Sequence, residues 1–232
     1  MQMTKSLLAT FALLTVGSAF GAPVPVTVTS GGAFVLTFNG SPTLQTNPPT
    51  VGDPVSYLSS VIYFSDFSFT GVTGDQTRVD FQMDAYNTSG APLTGSILSV
   101  IGFNTTPTIS GTQNSVTGAF DTIYRADTLP GVGTVEFCVS DVMNCAGVGG
   151  GGIAQGTGGT AYVSLFFNAA NLSSLTFDDV FVRYQNLTGV NGVFNGVGSP
   201  VPEASAYVVL FAGFVLIGIV VRRRRPESEQ SV

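Results

Sequence analysis

Between residues 76 and 86 the chain reads QTRVDFQMDAY. In an extended chain successive side chains point to opposite sides. Val79, Phe81, Met83 and Ala85 then share one face, and Arg78, Asp80, Gln82 and Asp84 share the other. A helix would set Val79 with Met83 and Phe81 with Ala85 on nearly opposite sides of its axis, so the four would not share one face. The spacing therefore predicts a strand with one buried face. Similar apolar and β-branched runs recur along the chain, separated by clusters of Gly, Pro, Asn and Ser. They predict further strands at 25–29, 33–38, 60–69, 95–103, 115–123, 132–140, 160–167 and 176–185. In the run at 60–69, Ile62 and Phe64 oppose Tyr63, as in a central strand. Only AANLSSL at 169–175 offers a short helical alternative. The expected fold is all-β, a single sandwich of jelly-roll or Greek-key type. Eighteen Phe and seven Tyr are available to fill its core. SPTLQTNPPTVGDP (41–54) reads as a loop within the domain, and GVNGVFNGVGSP (189–200) as a flexible spacer after it.

Charge narrows the partners. Residues 23–199 carry three basic residues, Arg78, Arg125 and Arg183, against eleven acidic ones, a net charge of −8. Nucleic-acid affinity comes chiefly from Lys and Arg neutralising phosphates, so nucleic acid is not an expected partner.

The two ends carry the expected address. Lys5 and the apolar stretch LLATFALLTVGSAF, followed by small residues, read as a signal peptide over 1–21. Ala204–Val221 contains no charge; as a helix it would be roughly 27 Å long, close to the apolar thickness of a bilayer. Arg222, Arg223, Arg224 and Arg225 follow at once. Such clusters stay in the cytoplasm, which places the tail at 226–232 there and the body of the chain on the far side.

Val201, Pro202 and Glu203, then the apolar run, then the arginine cluster resemble the PEP-CTERM sorting signal of Gram-negative bacteria over 201–225. The usual second proline is replaced here by Ala204. The resemblance implies recognition by an exosortase, a membrane-embedded transpeptidase-like enzyme. It implies removal of the tail and delivery to the cell surface or an extracellular matrix. The alternative is an ordinary single-pass anchor with a stop-transfer cluster.

Cys138 and Cys145 are the only cysteines. An exported chain with two cysteines is expected to join them, the alternative being two buried free thiols. Zinc wants four ligands, and there is no His or further Cys to complete a set. Gly149 to Gly152 follow the pair. No Lys stands beyond Lys5, so this is no phosphate-binding loop, and a mobile surface loop is expected. The cysteine pair, the glycine run and VRYQ (182–185), together with the tail, resemble the cistern-family subgroup of PEP-CTERM proteins. That subgroup carries no established activity.

Catalysis by Ser-His-Asp or Cys-His needs an imidazole, and the chain has none. A carboxylate-dependent glycoside hydrolase needs only two acids, for which Asp80, Asp84, Asp121, Glu136, Asp178 and Asp179 are candidates. Neighbours in a strand point to opposite faces, so Asp178 and Asp179 are not expected to face each other as a pair. No cofactor is expected; oxygen ligands suited to Ca2+ occur in loops such as TGDQTRVD (73–80), the alternative being an ordinary solvated acidic surface. The Asn-x-Ser/Thr triplets at Asn87, Asn104, Asn171 and Asn186 carry no weight in a chain this rich in those residues.

The expected protein is thus non-enzymatic: one domain at 22–188, exported across the inner membrane of a Gram-negative bacterium, cut by signal peptidase and processed by an exosortase-type enzyme. It would be a single-pass inner-membrane intermediate, then a surface, biofilm or matrix component. A carbohydrate-binding module is the alternative, with extracellular polysaccharide as partner and Tyr or Phe as stacking side chains. A secreted carboxylate-dependent hydrolase is the second alternative.

Overall fold

The alternation that begins at Gln76 holds through twelve residues: every second side chain from Thr77 to Asn87 is buried, and the rest face outward. In the computed structural model, residues 25–44, 50–141, 143–146 and 150–201 are described. The signal segment, Pro202, Glu203, the apolar run, Arg222 to Arg225 and the tail lie outside the described residues. Among the described residues there is no helix, so none is long and apolar enough to cross a membrane. The fold is all-β. Its strands are β1 Val26–Thr29, β2 Phe34–Leu44, β3 Thr50–Val51, β4 Val55–Val72, β5 Gln76–Asn87, β6 Gly95–Thr106 and β7 Ser115–Gly118. They continue with β8 Thr122–Leu129, β9 Gly133–Ser140, β10 Ile153–Ala154, β11 Gly158–Phe167, β12 Ser174–Thr188 and β13 Val193–Pro200.

All pairings are antiparallel and form one sheet in the order β7-β11-β5-β4-β2-β13-β12-β6-β9-β8. β1 pairs with β12, β3 with β2 and β10 with β6. The first and last strands of that order, β7 and β8, are joined by residues 119–121 alone. So short a link forces the sheet to curl until its edges approach, which gives a nearly closed, barrel-like shape. The interior shows the same curl. Phe81 of β5 meets Phe177 of β12 edge-on at 5.8 Å, although β4, β2 and β13 separate their strands. Phe34, Phe64, Phe67 and Phe103 pack around the same ring. Each such aromatic pair adds about 0.5–1.5 kcal/mol beyond the area it buries.

A bulge in β4 makes part of this core. The ladder slips between Ser65 and Ser68, and Asp66 takes φ 57°. The extra residue lets Phe64 and Phe67, three apart, both point inward.

Several expectations need correction. The stretch read as a spacer at 189–200 is instead a turn at 189–192 followed by β13, seated between β2 and β12 in the middle of the sheet. Its glycines serve close packing. A methyl group on Gly196 would lie 2.5 Å from Leu58 Cδ2, and one on Gly198 would lie 2.7 Å from Val182 Cγ2. The proline-bearing stretch at 41–54 is partly strand: β2 continues to Leu44 and pairs with β3. The expected strand at 115–123 is broken after Gly118, whose φ of 107° turns the chain between β7 and β8. Residues 169–173 form a turn, with Asn171 at φ 55°, and Ser174 and Leu175 already belong to β12.

Candidate binding surfaces

Cys138 and Cys145 are joined, with Cα atoms 6.1 Å apart, and both are fully buried. The disulfide closes a cover over the outer side of β6, β9 and β12. Beneath it lies a second apolar layer of Val100, Leu129, Val135 and the two cysteines, with Tyr124, Val132 and Phe181 packed against it. Carboxylates hold the cover down. Ala126 takes φ 49° in β8, and the adjacent Asp127 accepts a hydrogen bond from Cys145 N–H at 3.0 Å. Asp141 accepts one from Gly152 N–H at 3.2 Å.

Of the glycine run, Gly150 to Gly152 are described; they lie outside the strands, as a loop does, Gly150 has open space around it, and Gly151 and Gly152 stand close to neighbouring backbone. A methyl group on Gly152 would lie 2.4 Å from the Leu98 carbonyl oxygen, and one on Gly151 would lie 2.3 Å from that of Asp141. The cover also meets VRYQ. Val182 and Tyr184 point into the core, where the Tyr184 hydroxyl donates to Ser60 Oγ at 2.8 Å. Burial pushes the Tyr184 phenol well above its ordinary value. Arg183 and Gln185 take the opposite side, and Gln185 Nε2 donates to the Ala146 carbonyl at 3.5 Å. Arg183 is 7% exposed, its Nε has no hydrogen-bond partner, and burial alone pushes its pKa down. Among the described residues the ion pair is Arg78–Asp80, so Arg183 has no carboxylate beside it. Ala146, next to Cys145, thus meets Gln185 of VRYQ, and Gly152 is tied to Asp141 just beyond β9.

The candidate acids have structural partners. Glu136 accepts from Thr105 N–H at 2.8 Å, from Thr105 Oγ1 at 3.2 Å and from Ile109 N–H. Desolvation raises its pKa, against the pull of those hydrogen bonds and of Arg125. Asp121 accepts from Thr122 Oγ1 at 2.8 Å. Asp178 and Asp179 require a correction. A register shift between Phe177 and Asp179 leaves both outside the core, between inward Phe177 and Val180, so strict alternation fails there. Thr106 Oγ1 donates to Asp178 at 2.6 Å, and Asn104 Nδ2 to Asp179 at 3.0 Å. Among the described residues no group of three His, Cys, Asp or Glu side chains converges as a metal site would require.

The outer face of β4, β5 and β11 has a different character. Tyr63, Tyr86 and Tyr162 are 49%, 47% and 58% exposed there. Tyr63 lies opposite Asp84, which lies opposite Thr160 on the far strand. Tyr162 lies opposite Gln82. The rings of Tyr63 and Tyr86 meet edge-on at 6.2 Å. Tyr86 rests over its partner Gly158, where a methyl group would lie 2.5 Å from the ring. Between the rings the polar side chains hold one another. Gln82 Nε2 and Thr160 Oγ1 both donate to Asp84, at 2.8 and 2.5 Å. Ser164 Oγ and Arg78 Nε both donate to Asp80, at 2.6 and 2.9 Å. Sequence alone placed Asp80, Gln82 and Asp84 on one face. It gave no cross-strand register, so the three tyrosines could not be brought beside them.

Comparison with protein-family models, with curated proteins and with solved structures found no match to this chain.

Proposed function

We propose that the protein is an exported cell-surface or extracellular-matrix protein that acts by binding and is not an enzyme. The observation that carries this reading is the joined Cys138–Cys145 pair, since disulfides persist in oxidising compartments outside the cytosol. It agrees with the signal-like segment at 1–21 and with the PEP-CTERM-like tail. On this reading the chain crosses the inner membrane, loses its signal to signal peptidase and is processed by an exosortase-type enzyme. The curled sheet, with two flanks facing each other over one core, is read as a flattened variant of a jelly-roll or Greek-key sandwich.

One structural fact constrains the processing. Val201 N–H still donates to the Thr37 carbonyl at 2.7 Å, so the motif emerges directly from the last strand. Cleavage is therefore expected at or beyond Pro202. Mass spectrometry of the protein from its native host tests the proposal. The expected chain begins near residue 20 or 22, lacks the arginine cluster and keeps Cys138 bonded to Cys145. Intact tail peptides in surface-located protein would leave only the plain membrane anchor. Alkylation of both thiols without reductant would remove the oxidising-compartment argument.

A second reading, carbohydrate binding, is favoured by the tyrosine face of β4, β5 and β11. The hydrolase reading gains no comparable support. Glu136, whose pKa burial raises, is occupied by backbone N–H groups rather than turned toward a substrate.

A further inference from the structure

We infer that the outer face of β4, β5 and β11 binds a neutral, hydroxyl-rich polysaccharide, with Tyr63 and Tyr162 as stacking platforms and Asp84 as the polar contact between them. This deepens the carbohydrate-binding reading and rests on it. From the strand register, Tyr63 and Tyr162 are two strands apart and offset by two residues. At about 4.8 Å per strand and about 3.4 Å per residue, their backbones are about 12 Å apart. A polymer of linked sugar rings can span that distance. A sugar ring has an apolar C–H face and a rim of hydroxyls, and this surface offers a partner to each. The tyrosine rings supply flat apolar area. Asp84 lies in the gap, already oriented by Gln82 and Thr160, and a carboxylate retains further lone pairs for incoming hydroxyl donors. Asp80, held by Ser164 and Arg78, extends the polar row.

Charge and area select this occupant over others. An anionic polymer or lipid surface would meet Asp80 and Asp84 with Arg78 as the one nearby cation, on a domain of net charge −8. A protein partner or second copy would need a continuous apolar centre within an interface of about 1,000 Å² or more. Here carboxylates separate the rings, and covering them with apolar groups would strand charge. Hydroxyls satisfy those carboxylates without that penalty. Tyr86 acts as a support, meeting Tyr63 edge-on and covering Gly158.

The test is affinity gel electrophoresis of the full chain in neutral detergent. The gels contain hydroxyethyl cellulose, dextran or galactomannan as neutral polymers and alginate as the anionic one. The expected result is retardation by at least one neutral polymer and none by alginate. Tyr63→Ala and Tyr162→Ala should each weaken the retardation about tenfold. Tyr63→Phe should keep it, because the stacking ring remains. Unchanged melting temperatures would show that the variants are folded. Absence of retardation in every neutral gel, indifference to both alanine variants, or equal retardation by alginate would overturn the inference. So would tyrosine-dependent self-association in sedimentation, which would make the face an interface between copies. Cell fractionation separates this from the parent reading: retardation by a protein that never reaches the surface would sink the surface assignment alone.

Discussion

The side-chain amide of Asn87 donates to the backbone carbonyl of Ile153 at 3.0 Å, fastening the end of β5 to β10 on the opposite flank of the sheet. The same amide reaches Ser96 Oγ at 3.1 Å, and Asn87 Oδ1 accepts from Ser89 N–H and Ser96 Oγ, each at 3.3 Å. The backbone reinforces the link. Asn87 N–H donates to the Thr157 carbonyl at 3.0 Å, and Gly156 N–H donates to that of Asn87 at 2.8 Å. β5 and β6 are far apart in strand order, so these bonds help to close the curled sheet.

Asn87→Ala is therefore expected to be costly. Each buried group left without a partner costs about 1–3 kcal/mol, and the truncation strands more than one, so a loss of about 2 kcal/mol or more is expected. Asn87→Asp should do no better, because a carboxylate cannot donate to Ile153. Urea unfolding measures both, and a loss under about 0.5 kcal/mol in Asn87→Ala would show that the closure does not depend on this side chain.

The position of β13 predicts how far the chain can be shortened. A fragment of residues 22–188 lacks the strand between β2 and β12 and leaves both without a partner there. It also removes Val193 and Val197 from the core side and from the packing around Gly131, respectively. That fragment should not unfold cooperatively, whereas 22–201 should. Thermal unfolding followed by circular dichroism decides the matter, and a sharp transition in 22–188 would mean that β13 is dispensable.

The all-β reading was legible because β5 and its neighbours alternate strictly, and β5 itself appeared within one residue of its observed end. β13 was not, because its signals of flexibility, Gly196 and Gly198, are packing contacts with Leu58 and Val182 that only the assembled sheet reveals. Asn87 was visible only as part of a triplet without weight; its role depends on β10, a two-residue strand too short to carry a pattern. Asp178 and Asp179 were misread for a related reason. Alternation is a rule for regular strands, and nothing in TFDDVFV announces the bulge. Cys138 and Cys145 were legible as a pair, but the carboxylates of Asp127 and Asp141 that pin their loop were not, since a positive φ at Ala126 has no sequence signature.

Arg183 gives the third prediction. A guanidinium that is buried, lacks a partner at Nε and has no carboxylate beside it among the described residues contributes little that an apolar side chain of similar length would not. Met has that length and adapts to irregular space. Arg183→Met should leave stability unchanged or raise it, within the range of about 1–4 kcal/mol seen when buried charges are replaced by apolar residues. Arg183→Ala should destabilise, because the layer beneath the disulfide cover would lose its filling. A loss of more than about 1 kcal/mol in Arg183→Met would mean that the charge is paired in the folded protein.

Glu136 sets a pH dependence whose direction can be derived. Its carboxylate binds Thr105 and Ile109, and Arg125 donates to the carbonyls of Gly111, at 2.8 Å, and Ile109. Together they hold the segment between β6 and β7 against the β8–β9 hairpin. Burial is the largest influence on the carboxyl and raises its pKa above the ordinary 4.5. The folded chain therefore binds this proton more tightly than the unfolded chain does. The stability gained from that difference is full below 4.5 and is lost as pH rises through the folded value. Glu136→Gln cannot ionise, so it lacks that slope. It also presents an amide donor where both carboxylate oxygens now accept N–H groups, leaving one unsatisfied at about 1–3 kcal/mol. The variant should be the less stable protein near pH 4, and the gap to the parent should narrow toward about pH 7. Urea unfolding of both proteins across that range measures the gap directly. A gap that widens with rising pH would mean that the hydrogen bonds and Arg125 outweigh burial, and that the folded pKa lies below the ordinary value.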